Sequence, residues 1–434
     1  MGGSGESETS PVHSPGPDTS RREVTRKAQR RRLEGAVIDA VGKRGLPATT
    51  VADLVSIAGV SKTTLYDLFG SKEGCFLTTL DTIMTESVLQ ISASYHELSD
   101  DRDRLAGAMS RLAALVAMQP GAARFVLIDS LCFGRAGFER REQSVDAFVR
   151  LIHESIAPRA ADRQAELAAR FFVEGIQRVT YRHLRHGEPE LLARRADTLV
   201  NWVLTYRQEG RQAQAVSAKP MSSLDLDEAW LSWGARPDSM PSRNSLTQRQ
   251  RILRGVAQLA AEQGFAALTI PAISAVSGTS NQTFYRHFEN KDSAFLAAFD
   301  ELIHGTHHLA AVTAASTERC WDARVRAYIH ALLELIASTP LLARVAFVEA
   351  PAAGPDARDR VHETTSRLTR FLDPLGLPAE LKPLSPLITE AIGGGIMGAI
   401  QHEVAAGRAE ALPERADELA SIVLAPLRAG AKSS

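Results

Sequence analysis

Cysteine, aromatic residues and long apolar runs are all scarce in this chain. Its 434 residues include three cysteines, at positions 75, 132 and 320, and aromatic residues make up 6%. The cysteines have no CxxC spacing, which argues against a structural zinc site and favours a reduced, cytoplasmic compartment. No apolar run reaches the length of a membrane span, and the N-terminus lacks the pattern of a signal peptide. We therefore expect a cytoplasmic protein without a membrane partner.

Catalytic signatures are missing as well. The sequence contains no GxSxG, P-loop or HExxH motif, so we expect no enzymatic activity, no cofactor and no metal. The composition is that of a globular protein, with 44% hydrophobic and 23% charged residues. No stretch alternates apolar and polar residues for long, which predicts an all-α fold. The length predicts two or three domains.

Positive charge is concentrated in two regions of an otherwise acidic chain. Residues 21–72 contain eleven Lys or Arg against five Asp or Glu, and residues 243–291 contain six against two. The formal net charge of the whole chain is −1. Such local basic regions are typical of nucleic-acid binding, although solvated helix faces can also cluster charge by chance.

The first basic region has the pattern of a helix-turn-helix unit. Apolar residues recur at helical spacing over 33–41, and Thr50 begins a capping-box pattern for a short second helix. Gly59 permits a left-handed turn, after which Ser61 caps a third helix over 62–69. Three short helices joined in this way predict a small core, which we expect to include Leu54, Ile57, Val60, Leu65 and Phe69.

The pattern then restarts, because residues 252–300 align with residues 33–81 without a gap. Further on, at a shift of 220 positions, the motif Pro120-x-x-Ala-Arg124 returns as Pro340-x-x-Ala-Arg344. Whole domains are therefore duplicated. The boundaries we expect are a disordered tail at 1–20, a first helix-turn-helix domain at 21–81, a first helical body at 82–210, a linker at 211–244 that packs across one of the domains, a second helix-turn-helix domain at 245–300 and a second body at 301–430.

Each half resembles the TetR family of transcriptional regulators. The resemblance lies in the helix 1 pattern ending at Gly45, in Thr64-Leu-Tyr66 and in Ser71-Lys-Glu73, and in the second half in Thr283-Phe-Tyr-Arg-His-Phe288. It implies two tandem TetR-like halves, each with a three-helix DNA-binding unit and a helical ligand-binding and dimerisation body. It further implies an intrachain pseudo-dimer, double-stranded operator DNA as a partner and an unknown small-molecule effector. Whether the chain remains a monomeric pseudo-dimer or forms a homodimer of chains is left open.

The residues expected at DNA fall into three groups. Side chains at the start of each reading helix face base edges: Lys62, Thr63, Asn281 and Gln282. Hydroxyl and cationic side chains suit phosphate contact: Thr64, Tyr66, Lys72, Thr283, Tyr285, Arg286, His287 and Lys291. Helix caps place backbone amides near phosphate: Thr50, Ser61, Thr269 and Ser280. The alternative for any one of them is a solvated helix residue that makes no contact with DNA.

The two reading helices differ where sequence would be read and also where phosphate would be held. Asp67 and Leu68 of the first occupy the positions of Arg286 and His287 in the second. An acidic side chain there opposes phosphate contact, so we expect weaker binding by the first unit unless the basic residues of 21–32 compensate. Two different readers in one chain predict an asymmetric operator.

The effector site is less well specified by the sequence. Six residues of the predicted bodies are candidates for ligand contact, each with a core or surface role as the alternative: Asp129, Cys132, His153, Glu174, Tyr181 and Met397. The run Gly393-Gly-Gly395 lies in a predicted helix, where it either leaves space for a ligand or allows close helix packing, and we expect packing. The predicted function is a ligand-responsive transcriptional repressor. The alternative is a ligand-binding or scaffold protein with one or both DNA-binding units degenerate.

Overall fold

The computed structural model describes residues 17–46, 48–156, 163–209, 246–317, 321–369 and 383–432, and every regular element among them is a helix. These residues fall into two compact units, with the boundary between Thr82 and Ile83. The expected linker at 211–244 and most of the expected tail lie outside the described residues. The all-α prediction is confirmed.

The first unit is the first helix-turn-helix domain. Its helices are α1 (Pro17–Arg44), α2 (Val51–Ala58), α3 (Lys62–Phe69) and the start of α4 (Lys72–His96). The helix α1 begins four residues inside the segment expected to be a disordered tail, with a proline at its first position, where the missing N–H costs no hydrogen bond.

The core of this unit confirms only part of the set predicted for it. Leu54 and Leu65 are fully buried, as expected. Ile57 is 48% exposed, so its prediction as a core residue is wrong. The reason is helical geometry: the buried face of α2 runs through Leu54 and Ala58, and Ile57 lies about 100° around the helix from Ala58.

The second unit contains the first body and the whole second half. The first body comprises the end of α4 with α5 (Asp101–Met118), α6 (Pro120–Leu127), a 3₁₀ turn (Asp129–Phe133), α7 (Gly134–Ile156), α8 (Arg163–His186) and α9 (Leu191–Glu209). The second helix-turn-helix domain comprises α10 (Gln248–Gln263), a 3₁₀ turn (Phe265–Ala267), α11 (Ile270–Ser277), α12 (Asn281–His287) and the start of α13 (Lys291–Thr317).

The second body repeats the order of the first. It contains the end of α13, α14 (Trp321–Ser338), α15 (Pro340–Arg344), a π-helical turn (Val345–Glu349), α16 (Ala350–Ala352), α17 (Pro355–Leu368), α18 (Pro386–Ala405), a 3₁₀ segment (Ala409–Arg415) and α19 (Ala416–Lys432). The second helix-turn-helix domain is attached to this body, because Glu349 Oε2 accepts a hydrogen bond from the backbone N–H of Phe265 at 3.0 Å.

The two bodies pack against each other through α8 and α9 of the first half and α18 and α19 of the second. We call the contact between α8 and α18 the seam. Glycines make it close: a Cβ on Gly395 would lie 2.6 Å from the ring of Phe171, and one on Gly398 would lie 2.2 Å from Cγ of Glu174. The predicted packing role of the glycine run is therefore confirmed, and so is the intrachain pseudo-dimer.

Ionic contacts also join the halves. Arg182 and Arg185 of α8 bond the carboxylates of Glu390 and Asp359. Arg178 Nη2 donates to the carbonyl of His362 at 2.7 Å, and Arg358 of α17 donates to the carbonyl of Ile128. Each of these four arginines therefore has an oxygen partner in the other half.

Candidate DNA interface and effector cavity

The turn between α2 and α3 determines how α3 is presented. Gly59 has φ of 62° and ψ of 45°, the left-handed conformation in which a β-branched residue would be strained. Ser61 caps α3, its Oγ accepting from the backbone N–H three residues on at 3.0 Å. Because Leu65 is buried, Lys62 and Thr63 are exposed at the N-terminal end of the helix. A recognition helix presents side chains to base edges in this way.

The second reading helix, α12, is built on the same geometry. Gly278 has φ of 62° and ψ of 39°, and Ser280 caps α12 with the same hydrogen bond at 3.0 Å. Phe284 is fully buried, and Asn281 and Gln282 are exposed at the start of the helix. The local structure is thus common to the two heads, while the exposed side chains are Lys and Thr in one and Asn and Gln in the other.

Hydroxyl groups surround each reading helix. Tyr66 is 49% exposed and Tyr285 is 59% exposed, whereas most aromatic residues of this chain are buried. Thr64 and Thr283 are half-buried, and each hydroxyl lies 2.9 Å from the capping serine oxygen. The two tyrosines therefore have the greater freedom to reach a ligand or nucleic acid.

Thr50 and Thr269 cap α2 and α11, as predicted. Thr50 forms a full capping box, in which its side chain accepts from Asp53 N–H and the Asp53 carboxylate accepts from Thr50 N–H. The hydrogen bonds from Thr50 lower the pKa of Asp53. Thr269 accepts from the backbone N–H of Ala272 at 3.3 Å. Both threonines stay exposed at helix N-termini, where backbone amides favour an anion.

Lys72 and Lys291, expected at phosphate, are half-buried and bonded within their own domains. The Lys72 ammonium donates to the carbonyl of Thr49 at 3.3 Å, and that of Lys291 donates to the carbonyl of Leu268 at 3.1 Å. In both domains the acceptor residue immediately precedes the threonine that caps the next helix. Each lysine therefore links the start of the fourth helix to the cap of the second, a positioning contact that leaves its other N–H groups available.

The N-terminal extension of α1 has no counterpart in α10. Leu33 aligns with Ile252, so α1 continues about three turns beyond the position at which α10 begins. Arg26 of this extension donates to the backbone carbonyl of Asp67 at 3.2 Å, which fixes the extension beside the last turn of α3. A basic cleft lies between them, lined by Arg21, Arg22, Thr25, Arg26, Gln29, Thr64, Asp67 and Leu68.

The first body encloses an apolar cavity of about 160 Å³. Its walls come from α4 to α9 and are mostly aliphatic, with Leu112, Phe148 and Val203 among them. A dry cavity of about 150 Å³ is large enough for a benzene-sized molecule. This cavity is therefore suited to a small apolar ligand.

One end of this cavity is polar. Arg141 of α7 donates through Nη2 to Glu174 Oε2 and to Gln177 Oε1, each at 2.7 Å. Arg141 and Gln177 also line a second cavity of about 120 Å³, which lies against the seam and has Arg178, Arg358 and Glu174 among its walls. Arg141 thus stands where the apolar cavity meets a group of paired charges.

The six predicted ligand residues are distributed unevenly around these cavities. Glu174, Tyr181 and Met397 line the second cavity, at the seam. Asp129 is buried near Arg358 and lines none of the cavities described above; desolvation raises the pKa of its carboxyl. His153 is half-buried on α7, and the side chain of Cys132 is outside the described residues.

The walls of the apolar cavity were missed by sequence reasoning. Their aliphatic residues have the same helical spacing as core residues, so a single helix pattern cannot separate the two roles. A signal existed in the repeat, because at a shift of 220 positions Arg141 aligns with Val361 and Gln177 with Met397. Two polar residues replaced by apolar ones at equivalent positions mark a difference between the bodies.

Neither a metal-binding cluster nor a single membrane-spanning helix is present among the described residues. No group of three or more metal-binding side chains occurs in the part of the chain that the structure describes. Within the same residues no single helix is long and apolar enough to cross a membrane. One bent pair of helices, Trp321–Ser338 with Pro340–Ala352, is long and apolar enough when the two are taken together, by length and composition alone.

The sequence model of the tetR family of bacterial regulatory proteins matches the chain twice, at residues 38–79 and 252–298. The two matches fall on the two helix-turn-helix domains. Among curated proteins, none matches this chain.

Several solved structures are similar to parts of the chain. FadR from Bacillus subtilis in complex with stearoyl-CoA is 13% identical, with a TM-score of 0.37 over 40% of this chain and 96% of that one. A TetR-like regulator from Rhodococcus sp. RHA1 is 18% identical, with a TM-score of 0.36 over 43% and 97%. The fatty acid degradation regulator FadR from Bacillus halodurans is 18% identical, with a TM-score of 0.36 over 41% and 95%.

Proposed function

Because this chain is a tandem member of the tetR family of bacterial regulatory proteins, a DNA-binding transcription regulator with a helix-turn-helix unit in each half, we propose that its two units read different half-sites of one asymmetric operator. One chain then supplies both heads of the pseudo-dimer. Its site of action is the cytoplasm, and its effect is repression, relieved by an effector. No bond is made or broken in this cycle, so no catalytic group is required.

The observation that carries this proposal is that the first residues of α3 and α12 are exposed and different, although the backbone around them has the same geometry. Lys62 suits the acceptor edge of guanine, whereas Asn281 and Gln282 suit the donor and acceptor edge of adenine. Each good bidentate pair contributes about 1–3 kcal/mol of discrimination. A palindrome offers the same edges twice, so it suits one head at the expense of the other.

The two heads obtain their phosphate contacts from different elements. In the second, Arg286 and His287 are exposed on α12 itself. In the first, Asp67 occupies that place and the positive charge comes from the extension of α1, held beside α3 by Arg26. We assign Arg21 and Arg26 to the DNA backbone next to the first half-site.

The effector is a small, largely apolar molecule that binds in the first body. Supporting this assignment are the aliphatic cavity of about 160 Å³ and the polar end formed by Arg141 and Gln177. Arg141 bonds Glu174, and Glu174 packs against Gly398 across the seam. A ligand group that moves Arg141 therefore acts on the seam directly. The resulting population shift changes the placement of the reading heads and lowers operator affinity.

A titration of the full chain against the DNA upstream of its own gene tests the proposal, with salt varied and the footprint measured. We expect affinity to fall steeply with salt, since each phosphate contact adds about 0.9 to the slope of log K against log salt. A footprint of two half-sites indicates one chain per operator, and a doubled footprint indicates a dimer of chains. Affinity that does not change with salt contradicts the proposal.

A second candidate is a ligand-binding or scaffold protein whose DNA-binding units have degenerated. Asp67 favours it, as do Lys72 and Lys291, whose ammonium groups bond their own domains. Alanine at Lys62 and at Tyr285 discriminates the two functions. Unchanged DNA affinity in both variants supports the second candidate, and a loss of affinity supports the regulator.

A further inference from the structure

The two bodies contain a cavity at the same place in the fold but of very different size. At a shift of 219 positions in α13 and of 220 beyond it, all residues lining the second-body cavity except His307 correspond to a residue that lines the first. Leu112 and Phe148 of the first body, for example, correspond to Leu332 and Leu368 of the second. The first cavity measures about 160 Å³ and the second about 20 Å³. The two bodies therefore share the location of the cavity and differ in its volume.

Larger side chains account for the lost space. Ala108, which lines the first cavity, is replaced by Tyr328, which is buried and whose hydroxyl lies 2.6 Å from His307 Nδ1. Ala122 is likewise replaced by Leu342. Burial raises the pKa of Tyr328, so its phenol stays neutral and suits this hydrogen bond. The ring is thus anchored by a polar partner that the first body lacks, because Val88 stands where His307 does.

The polar end of the cavity is also absent from the second body. Val361 and Met397 occupy the positions of Arg141 and Gln177. No charged or amide group of this kind therefore remains at the two equivalent positions of the second body. A ligand with one polar end has neither the room nor the partner there that the first body provides.

The second body is also tied to its own reading head. Glu349, on the π-helical turn, accepts from the backbone N–H of Phe265, and it lies 3.6 Å from Arg344. This turn follows α15, which carries Leu342 of the filled cavity. The filled cavity, the turn and the second head therefore form one packed region within the second unit.

We propose that each chain binds one effector, in the first body alone, and that the second body is a permanently filled partner that never takes a ligand. The effector has an apolar chain or ring and a single polar, preferably anionic, end that bonds Arg141. The inference rests on the proposed effector site and adds its stoichiometry, its chemical class and the residues that exclude a second molecule. A homodimer of identical subunits would carry two such sites, whereas this pseudo-dimer carries one.

Equilibrium dialysis of the full chain with radiolabelled benzoate, whose ring matches a cavity of about 160 Å³, measures the number of sites. We expect one benzoate per chain, none in Ala108→Phe, which puts a ring into the first cavity, and a second, weaker site in Tyr328→Ala/Leu342→Ala. Two equivalent sites in the unchanged chain overturn the inference and leave the proposed effector site standing. Thermal unfolding shows whether each variant is folded. If the double variant is not folded, the number of sites in the unchanged chain decides whether the second body binds a ligand.

The polar end is tested by Arg141→Met, with neutral benzyl alcohol as the matched ligand. We expect benzoate affinity to fall by at least about tenfold, as for the loss of a charge-assisted hydrogen bond, and benzyl alcohol affinity to stay within about twofold. Equal losses for the two ligands overturn the assignment of Arg141. If the unchanged chain binds neither ligand, the effector part of the proposed function fails together with this inference. Operator affinity measured without ligand decides the DNA-binding part separately.

Discussion

The two halves of this chain share one backbone plan and differ at the exposed ends of their reading helices and in the cavities of their bodies. Gly59 and Gly278 adopt the same left-handed conformation, and Ser61 and Ser280 make the same capping bond at 3.0 Å. The exposed ends of the reading helices differ, and so do the cavities, of about 160 Å³ in the first body and about 20 Å³ in the second. The comparison separates positions that the fold needs from positions that are free to specialise.

This division also assigns different tasks to the halves. The first half has a cavity with a polar end and a reading head whose positive charge comes from the extension of α1. The second half has a filled body, bonded through Glu349 to a head that carries its own Arg286 and His287. We infer that the first half senses the effector and that the second provides a fixed reference.

The largest expected effect concerns the seam that joins the halves. Gly395→Ala should lower the free energy of unfolding of the second unit by about 3 kcal/mol, because the new Cβ would lie 2.6 Å from the Phe171 ring. Urea denaturation followed by circular dichroism measures this change. The matched control is Gly255→Ala in α10, whose Cβ would find its nearest atom at 3.4 Å. Equal destabilisation by both substitutions would show that the seam is not closely packed.

The next effect separates the reading heads. Asn281→Ala should reduce affinity by about 2 kcal/mol for the full operator, and its dependence on base identity should disappear in one half-site only. Lys62→Ala should do the same in the other half-site. Binding to operators mutated in each half-site measures this. If both variants lose discrimination in the same half-site, the two heads do not read separate sequences.

A third prediction concerns His362, which lies on α17. Desolvation, assisted by the nearby charge of Arg178, lowers the pKa of His362 from 6.5 to about 3. The unfolded chain takes up this proton below about pH 6.5 and the folded chain does not, so stability falls as the pH falls from 6.5 towards 3.

Between pH 6.5 and pH 5.5 the free energy of unfolding should decrease by about 1 kcal/mol from this group. Urea denaturation at a series of pH values measures it. His362→Gln should remove that part of the pH dependence. If the variant keeps the full slope over this interval, His362 is protonated in the folded chain.

The smallest expected effect concerns the charge of the first head. Transplanting the second head's residues as Asp67→Arg/Leu68→His should raise operator affinity by about threefold at low salt and steepen the salt dependence by about one phosphate contact. Arg21→Gln/Arg22→Gln should have the opposite effect on the slope. An increase in affinity that persists unchanged at high salt would point to a change of conformation instead of an added phosphate contact.

Local features of the heads were predictable from sequence because their determinants are near neighbours. A threonine three residues before its capping partner, a glycine at a turn and a serine before a helix act within one turn of backbone. The internal repeat predicted the pseudo-dimer, and the run Gly393-Gly-Gly395 predicted the close packing of α18. These inferences needed no knowledge of how distant helices meet.

The remaining features depend on contacts between residues far apart in the chain. The Lys72 ammonium reaches a carbonyl 23 positions earlier, and Arg26 reaches one 41 positions later. The apolar cavity is formed by six helices whose inward faces look like ordinary core in any one of them. Ile57 was misplaced because the buried face of a two-turn helix is narrower than its apolar composition suggests.

The central claim, that one chain carries two different readers, is tested most directly by competition between three versions of the operator. One keeps the two natural half-sites, and the others are palindromes of the left and of the right half-site. The account predicts that the natural operator binds more tightly than either palindrome by at least about fivefold, which corresponds to about 1 kcal/mol. A palindrome that binds as tightly as the natural operator would contradict it.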